Sequence, residues 1–299
     1  MRRLESACEV DCYLGEGAIP HDELVWRVHG KQGLVCLITE HIDRAVIEAG
    51  RDLRVIANIA VGYNNIDVAA AREQGIVVTN TPGVLTEATA DFTWALILDI
   101  TRRVSEGERL VRQGEWKGWA LDFMLGTELR GKQLGIVGLG RIGKAVAVRA
   151  AVFGMRVVAT SRSEVSPDGI EQMPLDRLLA TSDVISIHVP LTSETHHLID
   201  QAAFARMKRS AYLVNTSRGP VVDEAALAWA LRERIISGAA LDVYEREPEV
   251  YAALLTMDNV VLAPHLASAT VETRTAMADL AVRNAIAVLS GDPPLTPVS

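Results

Sequence analysis

The chain has 299 residues, which is the length of two ordinary domains, and 49% of them are apolar, ample for buried cores. A net charge of −8, with no block of Lys or Arg, argues against nucleic acid as the main partner. No apolar run approaches the ~20 residues of a membrane span, and Met1-Arg-Arg-Leu-Glu-Ser leads into no signal-peptide core, so no membrane partner is expected. The three cysteines, Cys8, Cys12 and Cys36, are odd in number and read as free thiols in a reducing cytoplasm. No His or Cys pair beside them completes a ligand set, so no metal is expected.

In chain order, Met1–Val10 reads as a helix and Val10–Tyr13 as a strand. Strands follow at Leu34–Ile38, Val55–Ile59 and Ile76–Thr79, with helices at Arg44–Ala49 and Ala69–Gln74 between them. Gly75 stands where a helix C′ residue should. Short Val- and Ile-rich strands alternating with helices predict a parallel sheet. After the turn Thr81-Pro82-Gly83, an apolar-periodic helix is predicted over Thr86–Val104. A connector carrying Trp116, Trp119 and Phe123 comes next.

A second α/β segment opens at Gly131. Its predicted strands are Gln133–Val137, Arg156–Thr160, Val184–His188, Tyr212–Asn215, Gly238–Asp242 and Val260–Leu262. Six strands make a full doubly wound sheet. A last helix, Val271–Ser290, is expected to pack on the first segment, and Gly291-Asp-Pro-Pro to be a loose end. The expected architecture is therefore α/β with two domains. Residues 1–82 and 266–299 form a smaller substrate domain, and 83–265 a dinucleotide-binding domain.

The most specific local pattern is Gly138-Leu-Gly140-Arg141-Ile142-Gly143, directly after the strand Gln133–Val137 and before a helix-compatible run. Gly138 permits a tight turn, Gly140 lets the backbone approach a pyrophosphate, and Gly143 allows helix to pack on strand. Helix-start N–H groups then face phosphate. With the next strand on schedule, this is a Rossmann site. An acidic residue usually ends that next strand in an NAD site. Here Thr160-Ser161-Arg162-Ser163 occupies the position, and no carboxylate appears before Glu164. Arg162 can pair with a 2′-phosphate, which favours NADP(H), with NAD(H) as the alternative if Arg162 is an ordinary loop arginine.

The motifs Val61-Gly-Tyr-Asn-Asn-Ile-Asp67, Gly138–Gly143, His188-Val-Pro-Leu-Thr192, Asn215-Thr-Ser-Arg-Gly219, Leu241-Asp-Val243 with Glu245-Arg-Glu-Pro248, and Pro264-His-Leu-Ala-Ser-Ala-Thr270 occur in one order. In these, over nearly its whole length, the chain resembles the D-isomer-specific 2-hydroxyacid dehydrogenases, most closely their glyoxylate/hydroxypyruvate reductase branch. The resemblance implies a Rossmann domain beside a flavodoxin-like substrate domain. It implies hydride transfer between a nicotinamide cofactor and a small 2-keto acid, with Arg218, Glu247 and His265 catalytic. Arg218 would grip the carboxylate and polarise the carbonyl, His265 would protonate the oxygen, and Glu247 would orient His265. All three follow sheet strands, at the edge where such folds bind ligands. Taken singly, Arg218 could bind a surface carboxylate, His265 could be a satisfied core histidine, and Glu247 could be solvated.

Further roles carry over by resemblance. The amides of Val61 and Gly62 would hold the substrate carboxylate, with Asn58 facing the same place. The amides of Arg141 and Ile142 would meet the pyrophosphate. Val189, Pro190 and Thr195 would line the adenosine side, and Thr216 and Asp242 the nicotinamide, although Asp242 could equally be a strand-end turn residue. Region 86–124 would form a homodimer interface, with Trp119 or Phe123 either in the partner's site or in the dimer core. A phosphoglycerate- or lactate-type dehydrogenase, or a nucleotide-sensing binding protein, are the alternatives within this fold.

Two features depart from the family pattern. No strand precedes the Met1–Val10 helix, which predicts a gap in the middle of the substrate domain's sheet and a truncated or mis-started product. Ala267 replaces a common glycine, where a methyl would crowd the nicotinamide unless the local φ is negative.

Overall fold

The computed structural model describes residues 2–162 and 170–298. The chain divides into two compact units, Met1–Leu85 with Thr270–Ser299, and Thr86–Ala269.

The first unit is built on three parallel strands, β1 (Gly33–Cys36), β2 (Val55–Asn58) and β3 (Val77–Thr79), in that spatial order. Helices Arg44–Ala49 and Val68–Glu73 start at Asp43 and Asp67, whose carboxylates accept the N–H of Val46 and Ala70. On one face Ile56 packs with Ile47, Ile42 and Ile66. On the other, Val55 and Ala57 meet Ala281, Ala285 and Val288 of the helix Val271–Ser290. All four residues of β2 are buried, which is why the strand reads as an unbroken apolar run up to Asn58.

Four expectations fail in this unit. The first helix is only Arg2–Glu5, and residues 10–13 form no strand. Arg27 holds that segment instead, donating to Asp11 and to the Cys12 carbonyl, with its guanidinium over the Tyr13 ring. A strand exists only where a neighbour takes its backbone bonds, and these side-chain contacts replace the ladder. The sheet consequently runs without interruption from β1 to β3, with no gap in its middle. The end of the chain is likewise tied down. Gly291, at φ +87°, closes the last helix, and the fully buried Asn284 accepts the N–H of Leu295 and Thr296. Val298 then donates to the Val78 carbonyl beside β3.

The second unit holds seven parallel strands: β4 (Gln133–Val137), β5 (Arg156–Thr160), β6 (Glu171–Gln172), β7 (Val184–Ile187), β8 (Tyr212–Asn215), β9 (Gly238–Leu241) and β10 (Val260–Leu262). Their order is β10-β9-β8-β7-β4-β5-β6. The short β6 adds to the six expected strands; at two residues it carries no readable periodicity. The order reverses between β4 and β7, the place where doubly wound sheets bind ligands. The long helix stops at Arg102, and a second, Val104–Arg112, begins after Arg103 turns left-handed at φ 57°. Asp99 causes the break, accepting both the N–H and the hydroxyl of Ser105. Since every strand is parallel, the loops after β4, β5, β7, β8, β9 and β10 share one edge.

Candidate active site

The turn after β4 has the shape a dinucleotide phosphate needs. Gly138 sits at φ +100°, and a Cβ there would lie 2.7 Å from the His188 backbone, so only glycine fits the crossing of the two loops. A Cβ on Gly143 would lie 2.2 Å from the Gly138 carbonyl oxygen. Gly140 is the opposite case: nothing stands within 4 Å of where its Cβ would be. The glycine therefore keeps open space at the N-cap of the helix Arg141–Ala150, whose first N–H groups, including those of Arg141 and Ile142, have no intrahelical acceptor. Open space, free donors and a helix dipole suit a pyrophosphate.

The neighbouring loops frame this turn. Arg162 is exposed just beyond β5. The Glu194 carboxyl lies below its usual value through the Thr192 and Ser193 hydroxyls and, last, the charge of Arg162. Ser163 and Glu164 lie outside the described residues. Val189 is half-buried and Pro190 exposed after β7. The Thr195 hydroxyl is bonded inside this loop, donating to the Pro190 carbonyl at 2.6 Å. The Thr216 hydroxyl is bonded at 2.9 Å to Thr93 of the long helix.

At the edge formed by β8, β9 and β10, the side chains of Arg218, Glu247 and His265 come together. His265 Nδ1 lies 2.8 Å from Glu247 Oε2, while Glu247 Oε1 accepts the Tyr244 N–H at 3.1 Å. Burial opposes ionisation of Glu247, but the His265 bond and charge, the Tyr244 amide and Arg218 outweigh it, and the carboxyl sits below its ordinary value. Desolvation draws the Arg218 pKa down, and the Glu247 charge opposes that. Arg218 itself stands on an Asx turn: Asn215 Oδ1 accepts the Ser217 N–H and hydroxyl, and Asn215 Nδ2 donates to the Arg218 carbonyl.

Asp242 is fully buried, and both its carboxylate oxygens are taken, by the N–H of Leu266 at 2.6 Å and of Ala267 at 2.9 Å. Burial raises its pKa, and those two amides oppose the rise. With His265 N–H on the Asp242 carbonyl, this one residue holds the whole His265–Ala267 turn, including His265 at φ 53°. Ala267 is not among the residues of positive φ, so its methyl sits on ordinary backbone.

In the first unit, the turn after β2 is built by amide side chains. Asn58 is fully buried, and its Nδ2 donates to the Gly62 carbonyl at 2.9 Å. Asn65 Nδ2 donates to the carbonyls of Leu37 and Glu40. Asn58 thus shapes the turn. Val61 and Gly62 are half-buried, and the carbonyl of Val61 accepts from Asn80.

Residues 94–267 match the family described as D-isomer specific 2-hydroxyacid dehydrogenase, NAD binding domain. The chain belongs to that family. A glyoxylate reductase of Korarchaeum cryptofilum is 49% identical over 98% of this chain and 90% of the relative. The crystal structure of a Thermus thermophilus protein aligns at TM-score 0.94 and 46% identity, over 100% of this chain and 95% of the other. An NADPH-dependent glyoxylate/hydroxypyruvate reductase of Sinorhizobium meliloti, solved with NADP and malonate, aligns at 0.85 and 38% identity, over 91% and 85% of the two chains. Relatives of this kind place the chain in the glyoxylate reductase branch, as an NAD(P)-dependent dehydrogenase. Among its described residues, no helix is long and apolar enough to cross a membrane.

Sequence reasoning about this dehydrogenase missed the residues that hold the charged ones. Asn215 stands three positions before Arg218, an Asx-turn spacing that could have been read. Tyr244, whose hydroxyl donates to the Ala263 carbonyl at 2.9 Å, had no such local mark, because its acceptor is 19 residues away.

Proposed function

We propose that this dehydrogenase reduces a small 2-keto acid, glyoxylate or hydroxypyruvate, to the D-2-hydroxy acid, preferring NADP(H). The 2.8 Å bond between His265 Nδ1 and Glu247 carries the reading. A carboxylate on Nδ1 fixes the ring and stabilises the imidazolium, leaving Nε2 to hold the proton that goes to the substrate oxygen. The Arg218 guanidinium, drawn partly out of water, binds the carboxylate and stabilises charge developing on the carbonyl oxygen. A bound nicotinamide supplies the hydride, and the open space at Gly140 with the amides of Arg141 and Ile142 fits its pyrophosphate. Val189 and Pro190 would flank the adenosine. Thr195, Thr216 and Asp242 act on the cofactor side by fixing loops, since their side-chain oxygens are already bonded. In the first unit, the N–H groups of Val61 and Gly62 are the donors offered to a carboxylate.

Arg162 supports the NADP(H) preference, being an exposed cation just beyond β5, where an NAD site places a carboxylate. The 86–124 region supports a homodimer: Trp119 is 81% and Leu121 83% exposed, and Val104, Val111 and Trp116 of the same region are exposed too. A reducing cytoplasm suits the three free thiols.

The deciding experiment monitors nicotinamide absorbance with glyoxylate or hydroxypyruvate, comparing NADPH with NADH. Turnover that prefers NADPH, with the preference lost in Arg162→Ala, is expected. Preference for NADH would remove the Arg162 assignment alone. Turnover only with lactate or phosphoglycerate would move the substrate assignment to those types. NADPH binding without turnover of any 2-keto acid would favour a sensing protein.

A further inference from the structure

Glu224 is a buried acid that the proposed chemistry does not use. It opens the helix Glu224–Arg232 and is 6% exposed. A carboxylate in that position is costly unless hydrogen bonds satisfy it. Its Oε1 accepts the Glu245 N–H at 3.0 Å. Glu245 returns the contact, its Oε1 accepting the Glu224 N–H at 2.8 Å. The two residues therefore clasp each other at the start of the loop 245–251, and that loop carries Glu247.

The grip is transmitted over a short path. Two successive peptides carry it: Tyr244 N–H donates to Glu247 Oε1, and the next peptide, between Tyr244 and Glu245, has its N–H held by Glu224. The same peptide is pressed against the turn after Arg218, where a Cβ on Gly219 would lie 1.8 Å from the Tyr244 carbonyl carbon. His197 braces the outer side. Its N–H donates to the Pro220 carbonyl at 2.8 Å, and its Nε2 lies 3.3 Å from Glu245 Oε1.

We propose that Glu224 and Glu245 are positioning residues, a reciprocal clasp that sets the Glu247 carboxylate against His265. The rival account is that they only stabilise the helix start. An N-cap already exists there, since Asp223 accepts the Ala226 N–H, so the helix does not need a second device. The clasp acts on the loop.

The test compares Glu224→Gln, which keeps the acceptor oxygen, with Glu224→Leu, which removes it. The first readout is the proton resonance of His265 Nδ1–H, deshielded by the Glu247 bond and assigned by its loss in His265→Asn. That resonance is expected to persist in E224Q and to vanish in E224L. The second readout rests on the reductase reading: kcat for glyoxylate falls at least about tenfold in E224L, with the NADPH dissociation constant unchanged. Retention of both the resonance and kcat in a folded E224L overturns the proposal. Should E224L fail to fold, Glu245→Ala decides: loss of the resonance supports the clasp, and its retention overturns it. If the wild-type protein turns over no keto acid, the reductase reading fails by itself, and the resonance still decides the clasp.

Discussion

The edge of the seven-stranded sheet and the turn after β2 solve different problems with buried polar side chains. After β8, β9 and β10, charged groups are aimed at one another: Glu247 at His265, with Arg218 within electrostatic reach. After β2, neutral amides do the shaping, with Asn58 on the Gly62 carbonyl and Asn65 on Leu37 and Glu40. Proton transfer needs side chains whose ionisation is tuned, whereas binding a carboxylate needs only backbone N–H groups held in place. In both regions, however, a buried side chain expected beside a ligand also holds the protein's own turn. Asp242 accepts the N–H of Leu266 and Ala267, and Asn58 donates to the Gly62 carbonyl while its Oδ1 accepts the Cys36 thiol.

Substitutions on the charged edge should cost turnover, and those on the neutral turn should cost binding and stability. His265→Asn is expected to lower kcat/KM for glyoxylate by ~10²–10⁴ while NADPH still binds, as monitored by cofactor fluorescence. A loss below tenfold would remove His265 from the chemistry. Arg218→Lys keeps the charge but loses the planar fork, and kcat/KM should fall by ~10², through KM as well as kcat. Asn58→Leu should raise KM for the keto acid with kcat nearly constant, and lower unfolding stability by about 1–3 kcal/mol in denaturant titration. A fall in kcat alone would erase the distinction between the two regions.

The smallest expected effect is in pH dependence. The Glu247 carboxyl is held below its ordinary value, so the carboxylate that bonds His265 is present above that range and is lost only as pH falls through the lowered value. The acid limb of kcat/KM that Glu247 contributes should therefore lie below the ordinary glutamate value of about 4.3. In Glu247→Gln that limb should disappear, at a reduced plateau. A limb that stays in place would assign the titration to another group.

Much of the second unit was legible. The strands Gln133–Val137, Arg156–Thr160, Tyr212–Asn215 and Val260–Leu262 coincide with their expected limits, because each is a short run centred on apolar residues, as strands of a parallel sheet are. The helix Val271–Ser290 was equally clear, bounded by Thr270 and Gly291. The second helix, Val104–Arg112, was not, since it buries no residue and lies in the stretch expected to be a connector. The segment at 10–13 was misread because a few apolar and polar residues in alternation say nothing about whether a neighbouring strand is present. The chain end was misread for the converse reason. Gly-Asp-Pro-Pro is a loose composition, yet Asn284, back inside the last helix, anchors Leu295 and Thr296 beyond it.

Residue type and order alone determined the glycine turn, the strand pattern, and the presence of Arg218, Glu247 and His265 on loops after parallel strands. These are local properties, set by which φ values and which side chains a short segment can supply. The tertiary structure alone decided the polar contacts between distant parts of the chain. That Asp242 grips Leu266 and Ala267, 24 and 25 residues on, and that Glu224 reaches Glu245 across 21, result from strand order and packing. A hydrogen bond is fixed by distance in space, and chain separation carries no record of it.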